Sequence, residues 1–165
     1  MGQDHPVRQK RRVKIRRLGV RDEAGVRALI QAGLRERFDP YLEGYDPDLN
    51  DLWAHHLEFL VGVRADEIVA TSGLKLEDAR TVRVTRLSVM PSARDYGYGA
   101  AMLRALLEEA RTRGFERAVL TTGADWHSAI ALYERAGFSS VTSSFESATN
   151  FHSLEFARDL TAIRR

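Results

Sequence analysis

Residues 82–114 read VRVTRLSVMPSARDYGYGAAMLRALLEEARTRG, and the hydrophobic period changes within this stretch. Its first part predicts a buried strand, because β-branched and apolar side chains alternate there and Pro91 then removes a backbone donor. From Gly99 onward, apolar residues recur every three or four positions, as on one face of a helix that ends at Gly114. The stretch therefore predicts a strand, a turn and a helix, around which the other elements are arranged.

The turn between that strand and that helix is Arg94-Asp95-Tyr96-Gly97-Tyr98-Gly99, an Arg-x-x-Gly-x-Gly pattern. Two glycines allow positive φ and leave the backbone open to a ligand, while the helix N-terminus adds unpaired N–H groups and Arg94 adds a charged, forked donor. This combination predicts a diphosphate site. A Gly-x-Gly pair alone also marks ordinary tight turns, and a nicotinamide-dinucleotide site would need a third glycine that residues 100–103 do not supply.

The chain of 165 residues is long enough for one domain with its own hydrophobic core. It contains no cysteine, which excludes disulfides, a thiolate nucleophile and thiolate metal sites, and its five histidines show no metal-ligand spacing. We therefore predict no metal. No apolar run approaches the roughly 20 residues that span a bilayer, and no apolar segment follows the basic N-terminus. These features predict a soluble, cytoplasmic protein without a membrane partner.

Charge is distributed unevenly along the chain. Residues 1–17 hold seven basic residues and one acidic residue, which leaves the remainder with a net charge of −4 within the total of +2. We expect residues 1–11 to form a disordered basic tail, residues 12–160 one domain, and residues 161–165 a second tail. Nucleic-acid binding through the basic residues is an alternative, but no base-reading motif accompanies them. The sequence does not reveal the oligomeric state, and a homodimer is compatible with it.

The other segments alternate between strand and helix periods. In chain order we predict a strand, two helices, three strands, a helix, a strand, a helix and two strands: 13–18, 22–38, 46–60, 59–64, 68–76, 82–90, 99–114, 117–122, 126–136, 138–145 and 150–160. Asp22 and Asp125 are the expected N-caps of the first and last helices, and Gly137 is the expected stop of the last. This order predicts an α/β fold of α+β mixed type, with helices flanking a sheet.

Two motifs in the right order resemble those of the GNAT superfamily of acyl-CoA-dependent N-acyltransferases. The first is Leu-x-Val-x-Pro-x-x-Arg-x-x-Gly-x-Gly over residues 87–99, and the second is Ala-Ile-Ala-Leu-Tyr-Glu-Arg-Ala-Gly-Phe over residues 129–138. The resemblance covers roughly residues 12–160. It implies a single domain with a mostly antiparallel sheet of about seven strands and about four helices, and an N-acetyltransferase that uses acetyl-CoA as acyl donor.

The resemblance also implies roles for residues of both motifs. The backbone of Leu87, Ser88 and Val89 would pair with the pantetheine arm, and the N–H near Val89 would serve as oxyanion donor. Tyr133 occupies the position that often protonates the departing sulfur, although a tyrosine on an apolar helix face is otherwise a core residue. The residues expected to hold the diphosphate form the turn: Arg94, Asp95, Tyr96, Gly97, Tyr98, Gly99 and Ala100.

Two positions depart from the family pattern. Arg83 stands where many members carry a glutamate that acts as base through water, so that base is missing. Trp126 stands where an asparagine often contacts the pantetheine, and we keep Trp126 as a predicted cofactor-binding residue. A water chain without a single base is one alternative. The side chains that could act as base instead, which the sequence does not rank, are Glu77, Asp78, His55, His56 and His127.

The acceptor is predicted from the segment after the first predicted helix, which in this family usually belongs to one wall of the acceptor cleft. Between Phe38 and Val63 the chain holds six acidic residues and no lysine or arginine. A negatively lined cleft attracts cations, so we predict a small cationic primary amine as acceptor. A solvated acidic helix is the alternative explanation. The predicted acceptor-binding residues are Tyr41, Tyr45, Asp46 and Trp53.

The chemistry predicted for the chain follows from its lack of cysteine. Without a thiol to form an acyl-enzyme, transfer is expected by direct attack of the amine within a ternary complex. The alternative class, suggested by Arg83 and Trp126, is a catalytically silent acyl-CoA-binding or interaction module.

Overall fold

The structure is a computed structural model of the chain, and it describes residues 12–41, 44 and 46–161. The predicted N-terminal tail, residues 162–165 and Tyr45 lie outside the described residues. The described part forms one seven-stranded sheet with helices, which confirms the predicted mixed α/β fold. No helix in these ranges is long and apolar enough to cross a membrane.

The sheet has the strand order β1-β2-β3-β4-β5-β7-β6, and every neighbouring pair is antiparallel except β4 and β5. Short 3-10 turns occupy Val20–Asp22, Pro47–Asn50 and Pro91–Ala93. The helices and strands have these bounds: β1 Lys14–Arg17, α1 Glu23–Arg37, α2 Leu52–His55, β2 Glu58–Arg64, β3 Glu67–Leu76, β4 Thr81–Val89, α3 Tyr98–Thr112, β5 Arg117–Gly123, α4 His127–Arg135, β6 Ser139–Glu146 and β7 Phe151–Asp159.

Strands β4 and β5 lie side by side in the middle of the sheet but pair over only three residues of β4, from Thr81 to Arg83. Beyond that point a bulge interrupts the pairing of β4 with β3. Arg86 lies in the bulged part of β4 and has φ +54°. Because a bulge bends its strand, the rest of β4 leaves β5, and a gap opens between the two strands.

The hydrophobic core lies on both faces of the sheet, because successive side chains of a strand point to opposite faces. Leu60 of β2 belongs to the cluster that contains Met102 of α3. The neighbouring Phe59 belongs instead to the cluster that contains Val26 and Ile30 of α1. Helices α1 and α3 therefore cover opposite faces and hold the split sheet between them.

The sequence predicts one helix over residues 46–60, and this prediction is wrong. A 3-10 turn, α2 and the start of β2 share the segment. Asp51 separates the first two elements, because its backbone is extended and its side chain accepts the N–H of Ala54 at 2.9 Å, which caps α2. Leu49 and Leu52 are nonetheless buried in the α1 cluster. Helical spacing thus identified core residues but not their element.

One of the two predicted N-caps is confirmed, and the other is wrong. Asp22 is the N-cap residue of α1, although its side chain makes no capping hydrogen bond and instead accepts the N–H of Gly19 at 2.6 Å. The N-cap of α4 is Trp126 rather than Asp125, and no side chain caps that helix. The two helix stops are confirmed, because both residues have positive φ: Gly114 and Gly137.

A buried ion network ties the bulge of β4 to the segment before α2. Arg86 donates to Asp48 from Nε at 2.9 Å and to Asp46 from Nη2 at 2.8 Å. Asp48 is only 4% exposed. Burial raises the pKa of Asp48, but hydrogen bonds to Arg86 and the charges of Arg86 and Lys75 outweigh burial and lower that pKa to about 2.

Asp48→Asn should destabilise the fold by on the order of 3 kcal/mol at neutral pH, because Arg86 would keep one carboxylate partner instead of two. The pKa of Asp48 is depressed by folding, so its ionic contribution is present above the unfolded-state pKa of 3.8 and is lost as pH falls through about 2. Denaturant unfolding should therefore show a stability difference from the unmodified protein that narrows between pH 6 and about pH 2.5.

Asp51→Asn is the matched control, because this side chain caps α2 and asparagine caps helices equally well. Asp51→Asn should lower the stability of the fold only slightly, both at pH 6 and at about pH 2.5. The ionic role of Asp48 would be contradicted if Asp48→Asn lost no more stability than Asp51→Asn, or if its loss of stability did not change with pH.

Candidate active site

A cavity of about 1360 Å³ occupies the gap between β4 and β5. Residues 84–89 of β4 form one wall, and Thr121 and Thr122 of β5 form the other. The C-terminal end of α1, the N-terminal end of α3 and residues of α4 complete the lining. The cavity therefore runs along strand edges that no longer pair with each other and can pair with a ligand.

The structure brings nearly all of the predicted cofactor-binding residues to this cavity. Tyr96 is the exception, because its half-exposed ring stacks on Tyr98 at a centroid distance of 5.7 Å without lining the cavity. Contact between the others and a cofactor remains a prediction. Those that line the cavity are Leu87, Ser88, Val89, Arg94, Asp95, Gly97, Tyr98, Gly99, Ala100 and Trp126.

Gly97 determines the geometry of the turn before α3. It is the N-cap of that helix and has φ +79°, a conformation that β-branched residues resist. A Cβ at this position would meet nothing within 4 Å, so the backbone is open on that side. The first N–H groups of α3 have no partner within the helix, and together with the open backbone they form a site suited to an anion.

Gly99, unlike Gly97, does not have a positive φ. A Cβ at Gly99 would lie 3.3 Å from Leu132 of α4 and 3.8 Å from Val89. Gly99 therefore allows close approach of α3 to α4. Asp95 instead supplies a left-handed residue with φ +69°, which aspartate tolerates better than most residues.

Arg94 is held by an ion pair with α1. Its Nη1 and Nη2 lie 3.1 and 3.2 Å from the carboxylate oxygens of Glu36, and its Nε donates to the Val89 carbonyl at 3.2 Å. Both partners of the ion pair are more than two-fifths exposed, and such a pair contributes at most about 1 kcal/mol. A doubly charged diphosphate can therefore compete with Glu36 for Arg94.

Tyr133 lines the cavity from α4 and is 9% exposed. Its ring packs against Phe138 and Phe156, with centroid distances of 6.2 and 6.4 Å. Burial raises the pKa of Tyr133 to about 12, against an opposing effect of the positive charge of Arg37. The phenol is therefore protonated at neutral pH and is a hydrogen-bond donor.

The position of the family's glutamate base holds an arginine with two carboxylate partners. Arg83 donates to both oxygens of Glu77 at 2.8 Å and to Glu155 at 2.8 Å. Hydrogen bonds to Glu77 and Glu155 raise the pKa of Arg83. Arg83 thus stays charged and links the turn before β4 to β7, and Glu77 is occupied by this ion pair.

Among the histidines predicted as possible bases, only His127 lines the cavity. The Nδ1 of His56 donates to the carbonyl of Leu52 at 2.8 Å, which leaves Nε2 to accept from the Thr85 hydroxyl at 3.1 Å. Burial lowers the pKa of His56, so this side chain is a neutral, hydrogen-bonded core residue. The remaining candidates lie outside the lining: His55 and Asp78.

The predicted acceptor-binding residues are not gathered at the cavity. Asp46 lines it, but one carboxylate oxygen binds Arg86 and the other accepts the Tyr41 hydroxyl at 3.0 Å. Tyr41 is outside the lining, as is Trp53, which is 50% exposed on α2. Tyr45 is not among the described residues.

Three of the six acidic residues in the acidic segment are neutralised by arginines from elsewhere in the fold. Glu58 is 8% exposed and pairs with Arg113 at 2.7 Å and with Arg17 at 3.1 Å. Asp46 and Asp48 share Arg86. The surplus of acidic residues in the sequence therefore does not produce a free negative wall at these positions.

An aromatic group that the sequence analysis missed lies at one end of the cavity. Phe38 and Phe151 pack on Trp126 with centroid distances of 5.8 and 5.6 Å, and the Arg37 guanidinium lies 4.2 Å from the centre of the Trp126 ring. Gly123 permits this packing, because a Cβ there would lie 2.5 Å from the same ring. A basic residue in the last turn of a helix is ordinary, so no sequence pattern distinguishes Arg37.

Thr122 is another cavity residue that the sequence analysis did not identify. It is 2% exposed, and its hydroxyl has no hydrogen-bond partner among the described residues. Buried polar groups are nearly always paired. The Thr122 hydroxyl is therefore an exception among the buried polar groups of the cavity wall.

A mixed sheet that splits between two parallel strands, with a glycine turn at the start of the following helix, defines a class of acyl-CoA-binding α/β domains. Residues 26–138, more than half of the chain, match the sequence profile of the Acetyltransferase (GNAT) family. The chain belongs to the GNAT family of acetyltransferases.

Individual relatives support this assignment. The IAA acetyltransferase of Azospirillum brasilense is 31% identical over 119 residues, which cover 67% of this chain and 76% of that protein. Several other curated relatives are longer, and this chain spans less than half of their length.

Solved structures share the fold. A GNAT acetyltransferase from Staphylococcus aureus matches with a TM-score of 0.80 and 17% identity, over 91% of this chain and 100% of the other. The structure of YncA from Salmonella typhimurium with acetyl-CoA matches with a TM-score of 0.76 and 18% identity, over 93% of this chain and 97% of the other.

Proteins of this family use acetyl-CoA as donor, and acetyl-CoA is therefore the donor for this chain. The residues present fit that molecule. Open backbone at Gly97 and unpaired N–H groups of α3 suit a diphosphate, and the free edge of β4 suits the amides of a pantetheine arm.

Gly97→Val should weaken CoA binding by about tenfold or more, a change of roughly 1.4 kcal/mol, because valine resists the left-handed conformation and adds bulk beside the unpaired N–H groups. Calorimetric titration with CoA measures this. Gly114→Val is the matched control: Gly114 also has positive φ and open space at its Cβ, but it ends α3 and does not line the cavity. Equal CoA affinity for the two variants would contradict the assignment of the turn.

Proposed function

We propose that the protein is an N-acetyltransferase that transfers the acetyl group of acetyl-CoA directly to a primary amine in a ternary complex. The supporting observation is that one cavity joins the glycine turn, the free edge of β4 and Tyr133. The chain has no cysteine to carry an acetyl group between two half-reactions. Initial-rate kinetics should therefore show intersecting rather than parallel lines when both substrates are varied.

The amine must lose a proton before it attacks. An alkylamine of pKa near 10 is mostly protonated at pH 7, and forming its neutral state costs roughly 4 kcal/mol. Of the two carboxylates in the cavity lining, Asp46 is bonded to Arg86 and Tyr41, and Asp95 lies in the glycine turn. We therefore assign the proton to water in the cavity.

Bound acetyl-CoA supplies an activated thioester, and the protein groups act on the charge that develops around it. The N–H near Val89 on the open part of β4 is the proposed donor to the carbonyl oxygen that becomes negative. Tyr133 is the proposed donor to the departing sulfur. Complete proton transfer from a phenol of pKa about 12 to a thiolate of pKa about 8.5 costs roughly 5 kcal/mol, so Tyr133 assists mainly by donating a hydrogen bond.

The small cationic acceptor predicted from the sequence is supported at the cavity by one of the predicted acceptor-binding residues, Asp46. Asp46 is the acceptor-side acid in the cavity lining, and both of its oxygens have partners. A polyamine or a basic amino acid would have to displace Arg86 to reach this carboxylate, and separating that partly buried pair is costly. Asp46 therefore does not determine which groups the acceptor carries besides its primary amine.

Tyr133→Phe should lower kcat by about tenfold, because the hydroxyl is lost while the ring that packs on Phe138 and Phe156 remains. The fall in kcat should be no larger because a thiol already leaves readily. The melting temperature and the affinity for CoA should stay nearly unchanged, since only the hydroxyl is removed. Release of CoA thiol under saturating substrates measures kcat. Full activity in this variant would make Tyr133 a core residue only.

The proposed reaction is tested by incubating the protein with acetyl-CoA and a panel of primary amines. We expect thiol release that depends on the amine, with one N-acetylated product per thiol by mass spectrometry. Calorimetric CoA binding without any acetylated product would instead favour an acyl-CoA-binding module without catalysis.

A further inference from the structure

The charged residues of the cavity favour an anion rather than a cation. Four arginines and two aspartates line it, so the described lining has an excess of positive charge: Arg37, Arg86, Arg94 and Arg135 against Asp46 and Asp95. Arg86 and Arg94 are each paired with carboxylates. Within the described part of the chain, the side chains of Arg37 and Arg135 make neither an ion pair nor a hydrogen bond.

The two unpaired arginines differ in position. Arg135 lies two residues after Tyr133 on α4. Because residues two apart do not share a helix face, Arg135 lines a different part of the cavity from Tyr133. Arg37 ends α1, and its guanidinium lies over Trp126. The stacking fixes one face of the planar guanidinium and leaves the N–H groups at its edge free, which is the geometry that binds a carboxylate through two parallel hydrogen bonds.

Arg37 is also close enough to the reaction centre to act on it. Burial is the larger influence on the pKa of Tyr133, and the charge of Arg37 is the opposing one. The pantetheine arm of the donor carries no charge, and its diphosphate has the α3 N-terminus and Arg94 available. The Arg37 guanidinium, which lines the same cavity as Tyr133, therefore has no anionic partner in the donor near the thioester and is available to the acceptor.

We propose that Arg37, held against Trp126, forms a subsite for an oxyanion group of the acceptor, so that the acceptor is an amine that also carries an acidic group, of which a carboxylate is the simplest. This inference rests on the proposed N-acetyltransferase function. Glu36 does not block the subsite, because both of its carboxylate oxygens are engaged by Arg94. Asp46 does not repel the anion strongly, because Arg86 and Tyr41 occupy it.

The test compares acceptors that differ only in the acidic group. Amino acids are assayed beside their methyl esters, the corresponding decarboxylated amines and the aminophosphonate analogues. The free acids or phosphonates should be the better acceptors, with kcat/KM falling about 10- to 100-fold on esterification or decarboxylation, as expected when a hydrogen bond to a charged group is lost.

Variants then assign the preference to one residue. Arg37→Gln should lower kcat/KM about 10- to 100-fold for acidic acceptors and leave the esters unchanged. Arg37→Lys should recover part of the loss, because it restores the charge without the fork. Arg104→Gln is the matched control, since Arg104 is an exposed arginine of α3 outside the cavity lining. Arg104→Gln should leave kcat/KM unchanged for both the acidic acceptors and the esters.

Several outcomes would overturn the subsite. A simple or cationic amine as the best acceptor, an equal loss for acids and esters in Arg37→Gln, or weaker CoA binding by that variant would each do so. An equal loss for acids and esters would mean that Arg37 acts on the reaction itself, as proposed for Tyr133. Weaker CoA binding would mean that Arg37 belongs to the donor site.

Binding without turnover separates this inference from the proposed reaction. Calorimetric titration of the CoA complex with amino acids should show binding that Arg37→Gln weakens about tenfold or more. If that binding is seen while no amine is acetylated, the proposed reaction is wrong and the subsite stands. If neither binding nor turnover depends on Arg37, the subsite is wrong.

Discussion

The short pairing of β4 with β5 is the constraint on which the rest of the structure depends. After three paired residues of β4 the two strands separate, and their facing backbone groups have no partner in the sheet. Unpaired backbone inside a protein is costly unless a ligand or water satisfies it. The sheet is nevertheless held together, because α1 and α3 cover its opposite faces and β5 pairs with β7 along seven residues. The gap is therefore a stable feature of the fold.

The ion pairs around the cavity fall into two groups that contribute different amounts of free energy to stability. The Arg86 pairs with Asp46 and Asp48 are partly buried, and removing one partner of a fully buried pair costs about 3–5 kcal/mol. They fix the bulge that bends β4. The Arg94–Glu36 pair is exposed and contributes at most about 1 kcal/mol, so it can be exchanged for a ligand. Buried pairs thus shape the cavity, while exposed or unpaired arginines remain available to bind anions.

The sequence predicted the fold well because its central strand, turn and helix have clear and different hydrophobic periods. The predicted turn residues other than Tyr96 line one cavity for the same reason, because a strand followed by a helix determines where they lie. The acidic segment was misjudged, since counting charges along the chain cannot show that Arg86 and Arg113 come from distant elements to neutralise them. Arg37, Phe151 and Thr122 meet only through tertiary packing, and each is an ordinary residue in its own element.

Amide hydrogen exchange with and without CoA tests most directly whether the gap between β4 and β5 is the donor site. Exchange should slow in residues 84–89 of β4 and in residues 97–100 at the start of α3, because these amides lie along the cavity and would gain partners. Peptides from β1 and β2, which lie across the sheet from the gap, should be unchanged. CoA binding that leaves residues 84–89 and 97–100 unprotected would show that the donor lies elsewhere.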